Sequence, residues 1–238
     1  MRSVSFLGLS ISNRLSYSSS RLEPGGIVKE TYLSRKPASA SGWIAVASVS
    51  VLFLVSGIYW TDALGLAPQL AATPETVFDG KEYWRLLTAM GTHANFQHLL
   101  GNAVALGVLS YLLYGYFGAA IYPLLTLGGG AVVMAVALAT YPPGTILLGA
   151  SGVTYLMAGF WLTLYLFVER RLSPVKRLLR SMGFGLIVLM PAVVEPSVSY
   201  RTHALGFGSG VALGLAYFHF SKARLRRAER VEVEMDDY

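Results

Sequence analysis

The sequence predicts an all-α protein that crosses a membrane several times, and three observations carry that prediction. First, 54% of the 238 residues are hydrophobic and only 13% are charged, which is too apolar for a soluble domain of this length. Second, the apolar residues form runs of about 20 residues, the length of a helical bilayer crossing. Third, basic residues stand beside these runs, where they set orientation and meet anionic lipid. The net charge of +6 therefore does not predict a nucleic-acid partner.

Six apolar segments predict a bundle of six transmembrane helices. Most of them are long enough to cross a bilayer, while the fifth is short and terminated by proline. They cover residues 42–60, 98–117, 119–141, 149–168, 182–194 and 203–220.

Charged segments flank this bundle and predict its orientation. Residues 1–41 form a basic, serine-rich tail that we expect to be mobile, the bundle covers 42–220, and a charged tail covers 221–238. With the N-terminus inside, nearly all Lys and Arg are cytoplasmic, which satisfies the positive-inside rule and places both termini in the cytoplasm. The first residues are also rich in Arg and Ser and poor in acids, so an organelle-targeting segment is the alternative there.

A long segment between the first two spans, residues 61–95, predicts a structured loop. Its amphipathic stretch around Trp84 and Arg85 suggests a membrane-interface element. We expect Trp84 to rest on the lipid surface and Arg85 to meet lipid headgroups.

The Gly149-Ala150-Ser151-Gly152 stretch places a serine at the mouth of the fourth span. A serine in a membrane helix usually bonds back to its own helix or allows close packing. In the predicted orientation, however, His98, Ser151 and His203 each begin a span at the outer surface. Polar groups in membranes are costly, so their common depth favours a functional role.

These residue types fit nucleophilic catalysis. Ser151 becomes a nucleophile when a base takes its proton, and His203 is the candidate base. His98 and Asn102 are four residues apart and share a helix face, so they are candidates to stabilise an oxyanion together with the Ser151 amide. Gly149 belongs to the same group of residues around the oxyanion.

The third member of a triad is missing from this set. Tyr155 lies one turn after Ser151 and is predicted to stack on the His203 ring and orient it. Glu195 is a loop residue and a poor candidate for the role of orienting acid. The sequence therefore favours a Ser-His dyad.

Two other chemistries are alternatives to the dyad. The hydrolase motif Gly-x-Ser-x-Gly needs a second glycine where Val153 stands, and it follows a strand. Zinc binding by His93, His98 and His203 is the other alternative, but no carboxylate base or His-Glu-x-x-His spacing accompanies them. The chain has no cysteine, which excludes thiol chemistry, and we expect no metal or cofactor.

Glycines repeat every fourth residue along the sixth span, at Gly206, Gly210 and Gly214. Such a stripe of small residues lets two membrane helices approach closely. We expect it to pack against the fourth span and to bring His203 within reach of Ser151.

In these motifs the chain resembles the rhomboid family of intramembrane serine proteases, over about residues 42–220. The family has a Gly-x-Ser-Gly nucleophile motif, a His-x-x-x-Asn motif, a His-x-x-Gly-x-x-x-Gly motif and a Trp-Arg pair in its first loop. The matching residues are Gly149 to Gly152, His98 with Asn102, His203 with Gly206 and Gly210, and Trp84 with Arg85. Thr202 departs from the family, which usually has alanine before the base histidine.

The resemblance implies cleavage of single-pass transmembrane substrates near the outer face of the bilayer, after a small residue and without a cofactor. It leaves the oligomeric state open, and we expect a bacterial inner-membrane protein. A catalytically silent relative that binds and escorts transmembrane segments is the first alternative. A transporter is the second, but it predicts polar groups at the bilayer centre and a repeat between the halves of the chain.

Overall fold

The computed structural model describes residues 26–193 and 199–233 as a helical bundle with a small terminal sheet. The predictions that concern residues 1–25, Val194 and Glu195 lie outside the described residues. The helices are α1 (Ser41–Thr61), α2 (Ala67–Leu70), α3 (Arg85–Gly91), α4 (Phe96–Phe117), α5 (Thr126–Leu138), α6 (Ser151–Val168), α7 (Pro174–Val193) and α8 (Tyr200–Arg227). The strands are β1 (Gly26–Glu30) and β2 (Arg230–Val233).

Five helices of the described chain are long and apolar enough to cross a membrane. They coincide with the first, second, third, fourth and sixth predicted spans. Their bounds are Ser41–Thr61, Phe96–Phe117, Ala120–Leu138, Ser151–Val168 and Tyr200–Arg227. The third contains a π-helical turn, Ala120–Leu125, which precedes α5. These helices indicate an integral membrane protein. Among the described residues, five of the six predicted spans are found.

The predicted fifth span differs most from the structure. It was expected over residues 182–194, whereas α7 begins eight residues earlier, at Pro174. The added turns carry Lys176, Arg177 and Arg180. Because of these three charges, α7 is not one of the five described helices that are apolar enough to cross a membrane. The helix extends past the apolar run because nothing between Pro174 and Met182 breaks a helix.

The central helix of the bundle is α6. Two thirds of its apolar window (67%) is buried inside the protein, against 17% for α1 and for α8. It packs against α4, α5, α7 and α8, and its longest contact is with α8. The helix that begins at Ser151 is therefore enclosed by other helices rather than by lipid.

Glycines allow α6 and α8 to touch backbone to backbone. A Cβ atom added at Gly206 would overlap the carbonyl oxygen of Gly152, and one added at Gly210 would overlap that of Leu156. On the other helix, Gly159 faces the backbone of Phe207 in the same way. The glycine stripe of α8 thus packs against the fourth predicted span, as its spacing predicts.

The described parts of the terminal segments, residues 26–41 and 221–233, are more structured than the sequence suggests. Strands β1 and β2 pair antiparallel, so a two-stranded sheet joins the parts of the chain that were predicted as separate tails, and the fold is not purely α-helical. After β1, the buried Tyr32 donates a hydrogen bond from its hydroxyl to the carbonyl oxygen of Tyr116, at 2.9 Å. The prediction of a mobile tail is therefore wrong for residues 26–41, which pair and pack in the structure.

The loop between α1 and α4 corrects the expectation for Arg85. Its guanidinium turns inward instead of meeting headgroups, and it donates to the carbonyl oxygens of Pro68 (2.6 Å) and Ala71 (3.0 Å). It also pairs with Glu82. The physical reason is that irregular backbone has carbonyls without regular partners, and a guanidinium satisfies several at once. Trp84 is 46% exposed, which fits an interface position.

Replacing Gly206 by valine tests the contact between α6 and α8. The added side chain must push the two backbones apart, so we expect the melting temperature in detergent to fall by about 5 °C or more. Gly208→Val is the matched control, because an added Cβ atom at Gly208 meets no atom within 4 Å. Equal melting temperatures for the two variants would contradict the close backbone contact.

Candidate active site

A cavity of about 290 Å³ opens where α6 and α8 begin. Ser151, His203, His98 and Gly149 all line it, so four of the predicted site residues come together. The remaining lining residues belong to α1, to α5, to the first turn of α8 and to the segments that precede α4, α6 and α8. They are Tyr59, Ala94, Met134, Ile146, Leu147, Leu148, Ser199 and Thr202.

The turn before α6 places Ser151 at the first position of the helix. Gly149 has a φ of +114°, a conformation that residues with a side chain rarely adopt. A Cβ atom there would also lie 2.7 Å from Cε1 of His98. Glycine at this position therefore permits both the turn and the close approach of the His98 ring. As the first residue of α6, Ser151 presents a backbone amide that has no partner within the helix.

His203 lies in the first turn of α8 and is held from one side by an aromatic ring. The Tyr155 ring stacks on it with 3.9 Å between the ring centroids and 12° between the planes. This is the stack that the sequence predicts. Tyr200 adds an edge contact at 6.4 Å. No carboxylate belongs to the described residues that line this cavity.

His98 and Asn102 follow one another along α4. The Asn95 side chain caps this helix by accepting a hydrogen bond from the His98 amide at 2.8 Å. Asn102 is fully buried and donates from Nδ2 to the carbonyl oxygen of His98 at 3.0 Å. It is not among the residues that line the cavity, and its role in stabilising an oxyanion stays a prediction.

His93 has a structural position that sequence reasoning missed, because it was considered only as a metal ligand. Its Nε2 accepts a hydrogen bond from the Ala150 amide at 3.2 Å, and its Nδ1 lies 3.0 Å from the Ser56 hydroxyl. An amide can only donate, so the ring proton of neutral His93 is on Nδ1. Ser56 in turn donates to the carbonyl oxygen of Gly91 at 3.1 Å. This chain ties the turn before Ser151 to α1.

Burial keeps the His93 ring neutral. It is fully enclosed, and this desolvation lowers the pKa of His93 to about 3, with a smaller contribution from His98. The indole of Trp60 donates to the His93 carbonyl oxygen at 2.7 Å, so the backbone is fixed as well. With both ring nitrogens engaged in hydrogen bonds, His93 acts as a spacer between α1 and the Ser151 turn. A histidine five residues before His98 was the only sequence signal for it.

Thr202, the departure from the rhomboid pattern, is accommodated by a chain of hydroxyl groups. The Ser199 hydroxyl caps α8 by accepting from the Thr202 amide at 3.1 Å, and it lies 2.6 Å from the Thr202 hydroxyl. The Tyr141 hydroxyl lies 2.5 Å from the same Ser199 oxygen. The extra hydroxyl of Thr202 is therefore satisfied, and this network ties the start of α8 to the segment that follows α5.

The fold and the cavity define a membrane-embedded helical bundle in which a serine and a histidine from adjacent helices share one polar site. The Rhomboid domain family matches residues 80–220, which is more than half of the chain. A protein of Bacillus subtilis (strain 168), named "Putative rhomboid protease YdcA", is 25% identical over 134 residues. That alignment covers 56% of this chain and 66% of the relative, slightly less than two thirds of its length. This chain belongs to the rhomboid family.

Replacing His93 by phenylalanine tests its role as a neutral spacer. The variant keeps a ring but leaves the Ala150 amide and Ser56 without their partner, so we expect a loss of about 1–3 kcal/mol in the free energy of unfolding at pH 7.

The lowered pKa of His93 also makes the free energy of unfolding depend on pH. In the wild type, His93 binds a proton more readily in the unfolded state than in the folded state. Its contribution to the free energy of unfolding is therefore complete above pH 6.5 and is lost as the pH is lowered towards 3.

Thermal unfolding in detergent at several pH values between 4 and 8 measures both effects. We expect His93→Phe to have a lower melting temperature at pH 7 and a shallower pH dependence than wild type. The exposed His219 provides the control, because His219→Phe should change neither quantity. If the melting temperature of His93→Phe fell with pH as steeply as that of the wild type, the assignment of a neutral His93 ring would be refuted.

Proposed function

We propose that this protein is an intramembrane serine endopeptidase in which Ser151 is the nucleophile and His203 is the base. The observation that carries the proposal is that both side chains, from the first turns of α6 and α8, line one cavity. The stacked Tyr155 ring orients His203 from the side, and this is the role that an acid has in a triad.

The reaction follows the usual course of serine catalysis. His203 takes the Ser151 proton while the serine oxygen bonds to the carbonyl carbon of the scissile peptide. The tetrahedral intermediate then expels the amine, which receives the proton from His203, and an acyl-enzyme remains. A water molecule, deprotonated by His203, adds to the acyl carbon, and the collapse of this second intermediate returns the proton to Ser151.

Negative charge develops on the carbonyl oxygen during both steps. The Ser151 amide at the start of α6 and the His98 ring are the groups placed to stabilise it. Gly149 contributes by allowing the His98 ring to come close. Asn102 acts through His98 in this scheme, because its amide holds the His98 backbone.

We also propose that α7 is a sixth crossing, with Lys176, Arg177 and Arg180 reaching towards the headgroups from its first turns. The N- and C-termini are then cytoplasmic, and the divisions 1–41, 42–220 and 221–238 describe the two tails and the catalytic bundle. We place the protein in a bacterial inner membrane. The substrates are single-pass transmembrane proteins, cut near the outer face of the bilayer, and Trp84 rests at that interface.

Labelling with a fluorescent fluorophosphonate in detergent, together with cleavage of a transmembrane substrate in liposomes, tests the dyad. Ser151→Ala and His203→Ala should each lower the cleavage rate by at least about 10³-fold and abolish labelling, because nucleophile and base act as a unit. Ser110→Ala is the control, since Ser110 is a buried serine of α4 that donates to the carbonyl oxygen of Gly107 and does not line the Ser151 cavity. It should label like wild type.

The same measurement separates the protease from the silent alternative that binds and escorts transmembrane segments. A folded wild-type protein that neither labels nor cleaves, but retains transmembrane peptides, would replace the proposed activity by that alternative. Full activity in Ser151→Ala would show instead that another residue is the nucleophile.

A further inference from the structure

A second polar cavity lies at the other end of α6. It is an open cavity of about 320 Å³, lined by the last turns of α6 and α8, the segment after α6 and the start of α7. Leu166, in its wall, is 15 residues after Ser151, which places it about 22 Å along the helix from the candidate active site. The lining residues are Leu166, Phe167, Arg170, Pro174, Arg177 and Arg226. Three of the six are arginines, and none of them lines the Ser151 cavity.

The hydrogen bonds of these arginines to the described residues use only part of their N–H donors. Arg177 donates from one terminal nitrogen to the carbonyl oxygen of Leu166 at 2.5 Å, while its Nε is buried and has no hydrogen-bond partner among the described residues. Arg226 donates to the carbonyl oxygen of Phe167 at 3.4 Å and to Glu229. Each guanidinium has five N–H groups, and a buried donor without an acceptor is costly. A ligand that accepts hydrogen bonds from these guanidinium groups would therefore be stabilised in the cavity.

The charges in the cavity indicate that this acceptor is an anion. Glu229 is the carboxylate closest to the arginines, and it pairs with both Arg170 (3.0 Å) and Arg226. The neighbouring Glu169 is engaged by Arg171 through two hydrogen bonds of 2.7 Å. Among the described residues, the three arginines of the lining thus have one carboxylate partner, Glu229. Guanidinium groups bind phosphate oxygens bidentately, so a phosphate group matches this surplus.

The position of the cavity favours a lipid as the source of the phosphate. Its wall includes the side chains of Leu166 and Phe167, and Phe167 is 42% exposed. Both residues belong to the last turn of a candidate membrane span, so the cavity lies at the depth of headgroups. A ligand with a phosphate beside an apolar chain satisfies the arginines and this wall together.

We propose that this cavity binds the phosphate group of an anionic membrane phospholipid through Arg170, Arg177 and Arg226. Its acyl chains lie along Leu166 and Phe167. A lipid bound there bridges the ends of α6, α7 and α8. The proposal is independent of the proposed protease activity.

Native mass spectrometry of the full chain in an uncharged detergent tests the site. The protein is titrated with phosphatidylglycerol or with phosphatidylcholine of the same acyl chains, and the dissociation constant of the first bound lipid is measured. We expect phosphatidylglycerol to bind at least about tenfold more tightly than phosphatidylcholine, and Arg177→Gln to weaken phosphatidylglycerol binding about tenfold. Equal affinities of wild type for the two lipids would overturn the proposal.

Lys176→Gln is the matched control, because it removes the same charge from the adjacent, exposed residue of α7. It should change the dissociation constant by no more than about twofold. If Arg177→Gln and Lys176→Gln weakened binding equally, the lipid would be attracted by basic residues in general, and the proposed site would be refuted. If Arg177→Gln does not fold, Glu229→Gln still tests the proposal. Removing the carboxylate that pairs with Arg170 and Arg226 should tighten phosphatidylglycerol binding, and weaker binding would refute the proposal.

Inorganic phosphate distinguishes the two sources of the anion. At millimolar concentration and constant ionic strength it should leave the first phosphatidylglycerol bound, because it lacks the apolar chain that contacts Leu166 and Phe167. Displacement of the lipid under these conditions would overturn the lipid assignment and leave a site for free phosphate.

Discussion

The close contact between α6 and α8 is the constraint on which the rest of the site depends. Lipid tails are as apolar as leucine, so membrane helices gain little from burying apolar side chains and associate through tight packing. Gly206 and Gly210 bring the α8 backbone directly against Gly152 and Leu156 of α6. This contact puts the first turns of both helices side by side. A change of register by one residue would rotate His203 by about 100° and move it out of the cavity.

Glycine contacts fix the distance between the helices but leave few interlocking side chains, so polar anchors at the helix starts complete the arrangement. On α8 the anchor is Ser199, whose hydroxyl is close to those of Tyr141 and Thr202. On the α6 side it is His93, which accepts a hydrogen bond from Ala150. Irregular backbone at membrane depth must satisfy its polar groups internally, and both anchors also meet this demand.

The two ends of the bundle have different electrostatics. The cavity at the start of α6 is lined by neutral or weakly basic groups such as Ser151, Thr202 and His203, which suit a reaction in which charge appears only transiently. The cavity at its far end is lined by three arginines and suits a permanent anion. This asymmetry agrees with the proposed orientation, in which the arginine-rich end faces the cytoplasm and its anionic lipids.

The sequence by itself determined the membrane class, the positions of five spans and three polar residues, His98, Ser151 and His203, that line the candidate active site. These features follow from local composition and helical spacing, as the four-residue glycine repeat and the spacing of His98 and Asn102 illustrate. The tertiary structure decided the features that need partners distant in sequence. His93 meets Ala150 across 57 residues, Arg85 turns to the carbonyl of Pro68, and β1 pairs with β2 from the opposite end of the chain. Hydropathy cannot reveal such contacts, because a hydrogen bond depends on where two groups meet in space and not on the residues beside them in the chain.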